Sequence, residues 1–207
     1  MIHETIVTTL NADGSVHIAP MGIREADGRY VVAPFRPSTT LDNLLRTGCA
    51  VINLTDDVMI FAGCLTGRRH WPTRPASVVA GGVLDAALAH MELEVERRDE
   101  DELRPQFHCR VVHRANHRPF TGFNRAQAAV LEAAILVSRL DRLPADRIER
   151  DLDYLRVAVE KTAGERERIA WTWLLEFIEQ HRRARQSEAV ASLPACWQAC
   201  ALSKRRG

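Results

Sequence analysis

The sequence predicts an α+β protein. An antiparallel β-meander closes into a small barrel over residues 1–120, a helical hairpin or three-helix cap follows over 121–184, and residues 185–207 form a flexible tail. Three observations lead there. Short β-branched runs alternate with Gly-containing turns up to about Leu54. Two further alternating runs, His90–Val95 and Gln106–His113, flank a charged turn and read as a long hairpin. Beyond Pro119 the apolar spacing changes from two residues to three and four, which is the helical period.

Taken in order, Glu4–Leu10 is rich in Thr, Ile and Val and forms the first strand. Asn11–Ser15 turns the chain, with Gly14 free to take positive φ. Val16–Ile23 returns as the second strand. Pro20 lacks a donor, so it marks an edge, a bulge or a point where something else meets the backbone. A turn at Glu25–Gly28 leads to a third strand, Arg29–Pro34. Ser38, Thr39 and Thr40 then precede Leu41, Leu44 and Leu45 as a helix N-cap, and Gly48 ends that helix. Cys49–Leu54 is a fourth strand, and Thr55–Asp57 caps a short helix, Val58–Leu65. Residues 67–82, with Pro72, Pro75, Gly81 and Gly82, read mostly as loop, and His70–Trp71–Pro72 as an exposed part of it rather than a lid. Asn124 caps a helix over Arg125–Leu140. Pro144 opens another over Ala145–Thr162, and a third runs over Glu165–Arg183. Trp171, Trp173 and Phe177 are expected in its core, and His108, His113 and His117 on a solvated strand face.

Composition narrows the function. With 207 residues, 46% of them hydrophobic, the chain can bury a core without staples. A net charge of +1, with opposite signs interspersed, gives no basis for nucleic acid or an anionic membrane as partner. No run of apolar residues is long enough to span a bilayer, and Met1–Thr5 has no basic region ahead of an apolar one, so no signal peptide is expected. Cys49, Cys64 and Cys109 sit among apolar residues and read as small core hydrophobes. Cys196 and Cys200 lack two further ligands at zinc spacing, so no metal site is expected and a reduced, cytoplasmic protein is.

The chemistry concentrates in Glu4–Asp57. His17–Gly22 ends in small residues, where a planar ligand can approach backbone N–H groups. Arg36 and the hydroxyls of Ser38, Thr39 and Thr40 stand before a helix N-terminus, where free N–H groups and the macrodipole favour an anion. A planar ring and a phosphate together suggest a mononucleotide. No Walker loop, dinucleotide Gly fingerprint, nucleophile elbow or His-Glu-x-x-His occurs.

The residues Thr5–Thr9, Asp13–Gly14, His17–Gly22, Ser38–Leu44 and Val51–Asp57 together resemble the FMN-binding split-barrel superfamily of flavin reductases and pyridoxamine-phosphate-oxidase-like proteins. The chain resembles more closely an uncharacterised archaeal and methylotroph family that shares the Gly122–Ala126 segment and a helical C-terminal part. The resemblance implies a homodimer with FMN near its interface. Ala19, Pro20, Met21 and Gly22 would flank the ring through backbone, and Arg36, Ser38, Thr39, Thr40 and Asn43 would hold the phosphate and ribityl chain. Asn53, Thr55 and Asp56 would lie near the same cleft. Arg125, at a helix start beside Phe120 and Phe123, fits either an anionic ligand or a carboxylate across a dimer contact. The implied activity is an FMN-dependent oxidoreduction of a small molecule, a reduced pterin or other C1-carrier compound being the suggested class. A non-catalytic flavin-binding or biosynthetic accessory protein is the alternative, and a split barrel without flavin a third reading.

Overall fold

The computed structural model describes residues 1–26 and 28–191. In chain order its elements are β1 (Ile2–Leu10), β2 (Val16–Ala26), β3 (Arg29–Val32), α1 (Thr39–Thr47), β4 (Cys49–Leu54), α2 (Val58–Leu65), β5 (Thr73–Pro75), β6 (Gly82–Leu84), β7 (Ala89–Asp99), β8 (Gln106–Asn116), α3 (Arg125–Val137), α4 (Ala145–Thr162) and α5 (Glu165–Ala191). Six strands close a barrel in the order β1-β2-β3-β8-β7-β4, with β4 returning antiparallel to β1. The fold is the expected α+β split barrel with C-terminal helices.

Period-2 alternation decides what enters the barrel. Val7, Ile23, Val32, Ile52, Leu93, Phe107 and Cys109 point inward. The barrel is not evenly paired. β2 follows β1 along its whole length, from Ile2 opposite Arg24 to Leu10 opposite Val16, but meets β3 only at Arg24–Ala26. Val16–Ile23 therefore has a strand on one side only, and Pro20, opposite Ile6, sits on this open edge as its missing donor requires. Helix α1 fills the split: Leu41 and Leu44 complete the barrel core. Ser38 caps α1 by accepting from the Leu41 N–H, and Gly48 ends it at φ 64°, a left-handed position that suits glycine.

A second core covers the outer face of β1, β2 and β4. There Ile6, Ile18 and Val51 meet Ile60, Phe61 and Cys64 of α2 and Val83 and Leu84 of β6. The opposite side of α2, Val58 and Ala62, packs into a third core with Ala126, Val130 and Ala133 of α3 and Trp171, Leu174 and Ile178 of α5. One short helix thus joins barrel and helical part. Its N-cap, Asp57, accepts from the Met59 N–H and pairs with Arg166 of α5.

Some expectations need correction. The 67–82 segment is mostly loop, as expected, with one short strand in it, β5, which pairs with β6 through Thr73–Leu84, Arg74–Val83 and Pro75–Gly82. Helix α5 does not lose its pattern after Arg185 but continues to Ala191, through residues that mostly have good helix propensity. Cys196, Cys200 and the rest of the expected tail lie outside the described residues. Of the three expected core aromatics, Trp171 is buried and Phe177 packs partly buried against the same core, but Trp173 does not join it. Trp173 instead carries the Arg68 guanidinium 4.2 Å above its ring. No helix among the described residues is long and apolar enough to cross a membrane.

Candidate functional site

The open edge of β2 and the N-terminus of α1 border the same split. Along this edge Ala19, Pro20, Met21 and Gly22 are all partly accessible. At the mouth of α1, Ser38 is half-buried, Thr39 exposed and Thr40 buried. The Leu41 and Asp42 N–H groups are bonded to Ser38, whereas those of Thr39 and Thr40 make no hydrogen bond among the described residues. A cleft of about 710 Å³ opens here, lined by Thr39, Ser15, His17, Arg69, His70 and Trp71 among others. Burial and nearby Arg69 lower the His17 pKa, so its imidazole is neutral at pH 7. Trp71 is fixed by an indole hydrogen bond to the Arg68 carbonyl, 3.0 Å, and by packing over Gly63. The 69–73 segment that reads as an exposed loop therefore forms one wall of this cleft. Arg36 stands close by in sequence but is largely solvated and reaches Glu100 at 3.4 Å.

Not all of the expected ligand residues come together. Asn43 is buried and ties α1 to the first hairpin, its amide donating to Thr9 Oγ1 at 3.0 Å and Asn11 Oδ1 at 2.8 Å. Asn53 is fully buried on the outer barrel face. Its amide nitrogen reaches the Ile6 carbonyl and Thr8 Oγ1, and its oxygen accepts the Leu84 N–H at 2.8 Å. Thr55 donates to the Ala86 carbonyl at 3.0 Å, and with Asp56 it lines a different cleft. Arg125 is exposed and makes no hydrogen bond or ion pair among the described residues.

That second cleft is the larger, about 1030 Å³, where β4 ends, β7 begins and the chain leaves β8 for α3. Phe61, Leu131, Phe120 and Phe123 supply apolar walls, while Asn116, His117, Arg118 and Gln127 supply donors and acceptors; Asn124 lines the same cleft but its amide caps α3 and bonds the Thr162 carbonyl. It adjoins the β2 edge: a Cβ on Gly22 would lie 3.0 Å from Ile2 and 3.3 Å from the Glu4 carboxylate, and Ile2 and Glu4 line the cleft.

Behind the cleft lies a polar network that sequence reasoning missed. Glu92, fully buried on β7, accepts N–H groups from Ser77 at 2.7 Å, Val78 at 2.7 Å and Val79 at 2.9 Å. Its Oε1 also faces His90 Nε2 at 3.2 Å. Burial pushes this carboxyl up. The backbone donors of Val79, Ser77 and Val78, with His90, outweigh it and hold the pKa at about 2. His90 Nδ1 meets His117 Nε2 at 2.8 Å, and the same Nε2 receives Arg74 at 2.8 Å. His113 lies beside His90, ring centroids 5.6 Å apart, so the expected solvated histidine face is in part a packed cluster. Ligand atoms of His90, Glu92 and His113 lie within 4.8 Å of one another. The carboxylate's four lone-pair positions are already matched by Ser77, Val78, Val79 and His90, so the donor set is that of a hydrogen-bond network rather than a metal centre. Neither Cys64 nor Cys109 is poised as a nucleophile: burial pushes Cys64 up to about 11 and Cys109 up to about 12.

Comparison with known proteins fits this architecture. An FMN-bound protein from Methanosarcina mazei, MM1853, is similar at TM-score 0.75 and 21% identity, covering 85% of this chain and 94% of its own. The flavin reductase of styrene monooxygenase from Pseudomonas putida S12 is similar at TM-score 0.47 and 18% identity, over 56% of this chain and 82% of its own. The 2-nitrobenzoate 2-nitroreductase NbaA of Pseudomonas fluorescens gives TM-score 0.47 and 19% identity, over 55% and 64%. No curated protein matches in sequence. Residues 3–118 match the N-terminal domain, and residues 124–176 the following part, of the family described as protein of unknown function DUF447, and the chain belongs to that family.

Proposed function

We propose that the protein binds FMN in the split between β2 and α1 and uses it to oxidise or reduce a small planar molecule held in the 1030 Å³ cleft. The observation that carries the reading is the pairing of a strand edge and a helix N-terminus whose first N–H groups have no partner among the described residues. The edge at Ala19–Gly22 offers backbone donors to a flat heterocycle. Ser38, Thr39 and Thr40, with Arg69 and Arg36, suit a phosphate. The bound flavin would supply hydride or electron transfer, and the chain's own residues would bind, orient and exclude water. The FMN carried by MM1853, which shares this fold, supports the reading.

The large cleft's phenylalanines and amide side chains suit a planar heterocycle, in keeping with a reduced pterin or related C1 carrier as substrate class. Its rim carries exposed Phe120 and Phe123, and Phe123 is 100% accessible. Such a rim suits a homodimer in which a second copy covers this surface.

The test is the visible spectrum of the purified protein, followed by anaerobic reduction with NADH or NADPH and addition of a pterin. Flavin absorbance, with FMN released on denaturation, is expected. A colourless protein that ignores added FMN refutes the reading. Bound FMN that no nicotinamide or pterin reduces makes it a flavin-binding protein without turnover.

A further inference from the structure

The hydrogen-bond geometry behind the large cleft fixes where its protons are. Arg74 can only donate, so His117 Nε2, 2.8 Å from it, is the bare ring nitrogen and the His117 proton sits on Nδ1. His90 Nδ1, 2.8 Å from that same lone pair, must therefore carry a proton. His90 Nε2 faces Glu92 Oε1, which already accepts the Ser77 N–H and belongs to a carboxylate holding two more backbone donors on Oε2. It must carry a proton as well. His90 is thus doubly protonated, 4% exposed, and clamped between an ionised carboxylate and a neutral imidazole.

We propose that Glu92, His90 and His117 form a proton relay that ends in the large cleft, where His117 Nδ1–H protonates an acceptor nitrogen or oxygen of a planar heteroaromatic ligand. His117 is exposed and lines that cleft, and its Nδ1 has no partner among the described residues. The step balances without any change of electrons. The ligand atom takes the Nδ1 proton of His117, and the Nδ1 proton of His90 moves to His117 Nε2. His90 is left neutral with its remaining N–H on Glu92. Arg74 then gives up His117 and keeps Asp85, 3.3 Å from its Nη1. Solvent restores the proton by the reverse route.

The groups facing the relay agree with it. Glu92 is the anion. His113 lies 5.6 Å from His90, and Arg74 and Arg118 approach His117. Partial desolvation, then Arg74, His90 and Arg118, lower the His117 pKa, which keeps it neutral and able to accept from His90.

Nitrogen-15 NMR of the full chain with labelled histidine rings at neutral pH tests this. His90 should show both ring nitrogens protonated and His117 only Nδ1. Glu92→Gln should strip one proton from His90. His117→Gln, at an exposed position, should leave His90 charged. It should also slow exchange of the His90 Nδ1 proton with water by at least about tenfold, because the group that hands protons to solvent is gone. A neutral His90, a proton on His117 Nε2, or unchanged exchange in His117→Gln overturns the proposal. So does stoichiometric Zn²⁺ binding that shifts His90 and His113 together, which would make the cluster a metal centre.

Discussion

Replacing Glu92 by Gln isolates the interaction that pins the 76–81 loop to the barrel. Glutamine has nearly the same shape but one acceptor oxygen, so two of the four hydrogen bonds at this site lose their acceptor. A buried donor left unsatisfied costs about 1–3 kcal/mol, giving roughly 2–6 kcal/mol for two. Proton linkage provides a second route. Folding lowers the carboxyl pKa from 4.5 to about 2, which corresponds to about 3 kcal/mol at neutral pH by the conversion of ~1.4 kcal/mol per unit. The two routes agree near 3 kcal/mol. For a domain of this size that is a fall in Tm of about 6–12 °C. The pH dependence has a defined sign. A depressed carboxyl contributes its full stabilisation above pH 4.5 and loses it as pH falls toward about 2. Thermal melts followed by circular dichroism should therefore show a gap between wild type and Glu92→Gln that is present throughout pH 5 to 8 and narrows between pH 4 and 3. A variant that melts within about 2 °C of wild type at pH 7, or a gap that does not narrow in acid, refutes the reasoning.

Asn53→Leu removes an amide that bridges β1, β4 and β6 and strands the Leu84 N–H, so urea denaturation should show a loss of about 2–4 kcal/mol. Gly63→Ala places a methyl 2.4 Å from the Trp71 ring and should cost about 1–3 kcal/mol, with a shift in tryptophan fluorescence as the wall of the smaller cleft moves. If FMN phosphate sits at the mouth of α1, Arg69→Ala should weaken FMN by about 1.5–3 kcal/mol and Thr39→Ala by about 1 kcal/mol in a fluorescence titration. Arg36→Ala, whose charge is solvated and shared with Glu100, should cost no more than about 1 kcal/mol. Unchanged affinity in all of these variants would move the phosphate elsewhere.

The sequence by itself determined what local chemistry controls. Turn signals at Asn11–Ser15 and Glu25–Gly28 bounded Val16–Ile23 as a strand, alternation assigned His90–Val95, and Pro20 marked an edge, a bulge or a meeting point, of which the pairing of β2 displays the edge. Ser38, Gly48, Asp57 and Asn124 marked helix ends because a cap is a bond between residues two to four apart, readable from a short window.

What the tertiary structure alone decided are contacts across long separations. Alternation put His90 and Glu92 on the outer face of β7 but could not say that residues 77–79 fold over them. The Glu92 carboxylate is solvated not by water but by backbone N–H groups thirteen to fifteen residues away. The polar side chains of Asn43 and Asn53 fit a ligand set on paper, yet both are engaged in joining elements, since a buried amide must satisfy its donors and acceptor wherever the fold takes it. Thr55 and Asp56, just past the end of β4, line a different cleft from Thr39. Strand period fixes which way a side chain points. What waits there is settled only when the barrel closes and its covering loops and helices are laid down.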